Sequence, residues 1–344
     1  MKQTFRPLLG LALLGLGLGL NQTVQAVNTT LNYTNTADAW LTPASWSPAN
    51  DWSSGAVRTN VTTADVRLNI GTNAAINQAV AVTYNASMGT TILNNAGVTT
   101  RGFVIGSGSG TTGAVSVVGG TLVIQSGTTA DSGLIGSPAA SGAGSGTLTL
   151  SGGNFVFTNA SGNGFGVMCV PYRGGSTNGG TNFAQGTLTI NSGSTATIER
   201  TFFGFTAGEA GAQCTGTINL NAGGTLSTRN IRGRDSDANQ MAAVLNLNGG
   251  TLRVLALNSA DLAAAFVSEV ANSTNFTVNV QSGGAVVDTA GFNATIAKSL
   301  LNAGGGGGLT KNGSGTLTLT QTNTYTGATV RPAMAVSCAI RAAA

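Results

Sequence analysis

The chain has no histidine, and only 8% of its 344 residues are charged. Without histidine it lacks the commonest general base, any Ser-His-Asp triad and the commonest metal ligand. Its three cysteines (Cys169, Cys214 and Cys338) include no Cys-x-x-Cys spacing, so the zinc and c-type haem signatures are absent. Six prolines are too few for a polyproline or collagen-like chain. Aromatic residues make up 6%, so any core must be filled with aliphatic side chains. Scarce charge together with 41% hydrophobic residues is the opposite of the disordered composition. The formal charge of +4 is carried by the two ends. Setting aside Lys2, Arg6, Arg331 and Arg341 leaves eleven basic against eleven acidic residues. A neutral body makes no case for nucleic acid or an anionic membrane as partner.

What is abundant is glycine, at 52 residues, with threonine, serine, asparagine and short aliphatics. These are poor helix formers but suit short strands joined by tight turns. At the N-terminus, Lys2 and Arg6 precede a thirteen-residue apolar run, Leu8 to Leu20, and then Val24-Gln25-Ala26. This order of charge, apolar run and small residues is that of a cleaved signal peptide over residues 1–26, with Val27 starting the mature chain. Thirteen residues rising about 1.5 Å each fall short of a ~30 Å hydrocarbon core, and no later segment is apolar enough to span one.

One phrase recurs, apolar-x-apolar-x-x-Gly. Its copies start at Val115, Leu148, Leu188, Ile218, Leu245, Val278 and Leu317, at intervals of 27 to 40 residues. A second phrase precedes the first four copies: Val104-Ile-Gly106, Leu134-Ile-Gly136, Phe165-Gly166 and Phe202-Phe-Gly204, with Ile231-Arg-Gly233 as a decayed fifth. A third strand, of Gly-Thr-Leu type, follows each first phrase. Three alternating strands per unit predict an all-β fold, a right-handed parallel β-helix with one unit per coil and three sheets. Leu, Val, Ile and Phe would fill its interior, Thr, Ser and Asn would face out, and glycine pairs would turn the corners. A propeller would need a longer repeat of four strands.

Three stretches depart from the repeat. Residues 258–270 carry a helix-like pattern with Ser259 as a cap and Asp261 in the first turn, and predict a short helix outside the stack. Residues 27–100 hold an N-terminal cap and the first coils. Trp40, Trp46 and Trp52 there would cover the open end of the stack, the other reading being an aromatic platform for sugars. Cys169 and Cys214 either pair across neighbouring coils or fill inward positions as small hydrophobes.

The segment Gly308-Leu-Thr-Lys-Asn-Gly-Ser-Gly-Thr-Leu-Thr-Leu-Thr-Gln-Thr-Asn-Thr-Tyr-Thr-Gly-Ala-Thr-Val330 closely resembles the autotransporter-associated β-strand repeat, also called the passenger-associated transport repeat. The resemblance is specific over residues 308–330, and looser in style over the rest of the 101–330 repeat region. It implies a β-helix passenger at the cell surface, associated with the outer membrane or released. It brings no catalytic residues. Two departures from the family follow Val330: there is no translocator barrel, and residues 331–344 lose the Gly/Thr/Asn signature. That aberrant tail is the expected mark of a truncated or frameshifted reading frame.

Eleven scattered acids offer no paired carboxylates by spacing. The densest charged stretch, Arg229 to Asp237, reads as a solvated, self-neutralising loop, against a calcium or lyase site. No catalytic, cofactor-binding or metal-ligating residue is assigned. The expectation is an exported, non-enzymatic structural or adhesive rod, monomeric, whose partners are surface polysaccharide or other cell-surface components. A polysaccharide lyase-like β-helix and an inactive gene fragment are the alternatives.

Overall fold

The computed structural model describes residues 103–107, 111–126, 133–137, 144–159, 167–171, 184–204, 214–233, 241–255, 265–269, 275–331 and 338–342, together with six short strands before residue 95. The leader, Trp40, Trp52 and residues 172–183 lie outside these. Among the described residues every regular element is a strand. Except for the pairing of Thr29–Tyr33 with Trp46–Ser47, the strands pair in parallel across coils. The chain is a β-solenoid.

Three faces run along it. Face 1 is one eight-stranded parallel sheet, from Val82–Tyr84 to Leu300–Asn302. Face 2 carries the Gly-Thr-Leu strands, among them Thr121–Ser126, Asn154–Asn159, Thr251–Val254, Ala285–Asp288 and Leu309–Asn312. Face 3 includes Phe103–Ser107, Gly133–Ser137, Val167–Cys169, Val267–Glu269, Ala294–Ile296 and Gly315–Leu319. Two long strands, Thr195–Phe203 and Thr225–Gly233, bend from face 2 into face 3.

Six copies of the repeated phrase stack in register: Val115, Leu148, Leu188, Ile218, Leu245 and Val278 lie one above the next on face 1. Strict alternation puts each of them inside, at 0–1% exposure. Burying side chains of this size contributes about 1.5–3 kcal/mol each, and identical columns let every coil supply the floor for the next. Phe203 and Phe276 meet across the interior with ring centroids 5.1 Å apart.

The seventh copy is different. Leu317 pairs with Ala294 on face 3, and the strand that follows Val278 on face 1 is Leu300–Asn302. The last coils therefore carry no insertions, and the step shortens to 22 residues from Val278 to Leu300. The corner phrase also shifts. Val167–Cys169 occupies the third position, and Arg232, not Ile231, lies beside Phe202. Within the expected helix at 258–270, Val267–Glu269 is a strand. Val267 pairs with Ile231, and this ladder overrides the local helical pattern; residues 258–264 lie outside the described set. In the tail, Cys338–Ala342 pairs with Gly315–Leu319.

Glycine is obligatory where face 3 turns into face 1. Gly136 has φ of 78°, and a Cβ there would lie 2.0 Å from the Gln185 carbonyl oxygen of the next coil. Its neighbour Gly186 stands in a column with Gly146 and Gly216, and a Cβ on Gly186 would meet the Ile135 carbonyl oxygen at 2.2 Å. The column is what lets the corner close tightly.

Candidate functional site

Face 1 presents the most regular outer surface. Its eight strands contain no Asp, Glu, Lys or Arg. Alternation turns their polar residues outward in columns. One column runs Thr147, Thr187, Thr217, Val244 and Thr277. Its neighbour runs Ser116, Thr149, Thr189, Asn219, Asn246 and Asn279. A third holds Asn221 and Asn248, with Ser151 and Asn191 continuing it.

The asparagines bond to one another along the axis. Asn279 Nδ2 donates to Asn246 Oδ1 at 3.0 Å, Asn246 Nδ2 to Asn219 Oδ1 at 2.9 Å, and Asn219 Nδ2 to Thr189 Oγ1 at 3.2 Å. In the third column Asn248 Nδ2 donates to Asn221 at 3.4 Å, Asn221 to Asn191 at 2.8 Å, and Asn191 to Ser151 Oγ at 3.1 Å. An amide has two N–H donors and two acceptor lone pairs, and the ladder uses one of each. The face is thus a lattice of aligned amides and hydroxyls. Its repeat is about 4.8 Å along the axis and about 6.8 Å along each strand.

Three acids are described, and each is engaged locally. Glu199 is buried and accepts from Thr158 Oγ1 at 3.1 Å. Asp288 lies 3.5 Å from Arg253 and accepts from the Ala290 amide. Glu269 lies 2.9 Å from Lys298. The other eight acids fall outside the described residues. Of the charged stretch read as a loop, Arg229 and Arg232 instead belong to the strand Thr225–Gly233, because that strand bends from face 2 into the face 3 ladder, where Arg232 pairs with Phe202 and Ser268, while Asp235 and Asp237 are outside. Among the described residues no group of three His, Cys, Asp or Glu is placed to hold a metal ion, and no helix is long and apolar enough to cross a membrane. Cys169 and Cys214 are buried thiols in separate clusters: Cys214 lines the main interior, and Cys169 packs with Leu134, Val167 and Phe202.

Sequence spacing did not reveal Lys311 as an interior residue. It is fully buried, in the inward column below Leu252 and Val287. Its Nζ donates to Thr289 Oγ1 at 3.1 Å and to the carbonyls of Gly313 at 2.9 Å and Asn312 at 3.3 Å. Alternation alone carried the signal, since Lys311 shares a face with Leu309.

No family model, curated protein or solved structure matches the chain. The resemblance to the autotransporter-associated repeat therefore rests on residues 308–330 themselves.

Proposed function

We propose that this chain is an exported, non-catalytic β-solenoid passenger of the autotransporter-associated repeat type, a structural and adhesive rod at the bacterial cell surface. Export rests on the leader at residues 1–26, and the family reading on residues 308–330. The observation that carries adhesion is the charge-free Thr/Asn lattice of face 1. A surface with no ionisable group has no electrostatic means of selecting an anionic or cationic partner. Its repeated donors and acceptors suit a partner that is itself a repeating, uncharged, hydroxylated polymer. A neutral surface polysaccharide meets that description.

The test is co-sedimentation of the full chain with insoluble cellulose, chitin and β-1,3-glucan, beside calcium-alginate beads as an anionic control. Retention on a neutral polymer should persist in 1 M salt, where charge contacts are screened within about 3 Å. It should be abolished by Thr189→Lys with Asn246→Lys on face 1. Equal retention of parent and variant, or preference for alginate, would overturn the adhesive reading.

A further inference from the structure

Where face 3 hands over to face 1 near the end of the described stack, the corner opens into a cavity of about 340 Å³. Three successive coils build it. Glu269 comes from the end of Val267–Glu269, with Phe276 and Thr277 opening the following face 1 strand. Lys298 and Ser299 lie in the short link between Ala294–Ile296 and Leu300–Asn302, and Gln321 follows Gly315–Leu319. On the middle coil the link from Ile296 to Leu300 is only three residues long, so there the corner passes directly from strand to strand.

Its chemistry is specific. Lys298 Nζ is 2.9 Å from Glu269 Oε1 and 5.7 Å from the centre of the Phe276 ring, and both side chains are largely buried, at 16% and 25% exposure. The two contacts fix the ammonium from two sides. Of its three N–H donors one serves Glu269. Glu269 Oε2 is shielded from solvent and has no hydrogen-bond partner. The charges of the pair cancel, and the Lys298 ammonium keeps N–H donors beyond the one that serves Glu269. Thr277 and Ser299 add hydroxyls, and Gln321 an amide.

We propose that this corner binds one or two residues of a neutral sugar chain. A hydroxyl donates and accepts at once, so a ring carrying adjacent hydroxyls accepts from Lys298 and donates to the Gln321 amide oxygen or to the Thr277 and Ser299 hydroxyls. Because Glu269 already neutralises Lys298, the corner offers no net charge to hold a carboxylated or an amino sugar. The volume is at the lower end of small-ligand sites, about 300–1,000 Å³, which matches one or two pyranose rings. Thr277 also belongs to the outward threonine column of face 1, so a chain lying on that lattice can end in the cavity. The inference rests on the adhesive reading and narrows it from a lattice to a discrete site.

Titration calorimetry on the full chain with cellotriose, chitotriose, mannotriose and trigalacturonate separates the two. At least one neutral trisaccharide should bind, and trigalacturonate should not. Glu269→Gln and Lys298→Met should each weaken that binding about tenfold or more while retention on insoluble polymer stays unchanged. Gln321→Ala, at an exposed position, should weaken it in the same direction and serves if a variant of the ion pair loses its fold by circular dichroism. If the parent sediments with a polymer yet binds no trisaccharide, or binds it equally well with all three substitutions, the cavity proposal falls and the adhesive reading stands. If the parent binds neither polymer nor trisaccharide, both fall.

Discussion

Thr289→Val is the sharpest test of how the C-terminal coils hold together. The Lys311 ammonium is fully buried, and its three partners are all neutral oxygens. Thr289 is the one partner that is a side chain, and its hydroxyl also donates onward to the Ser314 carbonyl. Valine keeps the shape but leaves one proton of a buried cation without an acceptor. Losing a hydrogen bond to a charged group costs about 1.5–3 kcal/mol, which is roughly a ten- to hundredfold rise in local opening. Lys311→Met removes the charge and keeps the stem packed beneath Val287, so it should cost about 1 kcal/mol or less. The double substitution should then be milder than Thr289→Val alone, because the stranded charge has gone with its partner. A stack of coils opens piecewise, so the readout is amide hydrogen exchange over residues 285–319 of the full chain. If Thr289→Val loses no more protection than Lys311→Met, or if the double substitution is the worst of the three, the ammonium is not held as described.

Two further outcomes follow from the coil geometry. Gly186→Ala sets a Cβ 2.2 Å from the Ile135 carbonyl and 2.9 Å from the Pro171 nitrogen. Both are backbone atoms that cannot rotate aside, so a loss of about 1–3 kcal/mol or more is expected. An unchanged thermal melt by circular dichroism would show that the corner has slack. Asn246→Asp removes the donor that now serves Asn219 Oδ1 at 2.9 Å and sets a carboxylate against that oxygen. About 1–2 kcal/mol should be lost in urea unfolding at neutral pH, and a variant as stable as its parent would mean that the ladder contributes nothing.

Period-two alternation was enough to place six copies of the phrase on face 1 to the residue, from Val115 to Val278, because a slip by one would turn every leucine to solvent. It failed at Leu317 because the same Gly-Thr-Leu-Thr-Leu phrase serves two faces. Which one a copy joins depends on the length of the links before it, not on its own residues. The helix expected over 258–270 failed at Val267 for a related reason: a local apolar spacing cannot register that Ile231, thirty-six residues earlier, offers a ladder partner. The cavity at Glu269 was not legible, since it joins side chains from three coils whose separation is set by those same links.

The spacing of apolar residues also decides which faces can meet a partner. On face 1 they alternate, so one side is wet. On face 3 they come in doublets, Leu134-Ile135 and Phe202-Phe203, and both sides are buried: Ile135 and Phe203 line the interior, while Leu134 and Phe202 sit with Val167 and Cys169 in a second cluster outside it. That outer column runs Leu134, Cys169, Phe202 and then turns polar at Arg232 and Ser268. The next residue along the strand from Ser268 is Glu269. The outer apolar cluster thus gives out at Arg232, one coil before the strand that contributes Glu269 to the cavity. Loss of the doublet ends the outer apolar cluster, and shortening of the links brings Lys298 and Gln321 in beside Glu269.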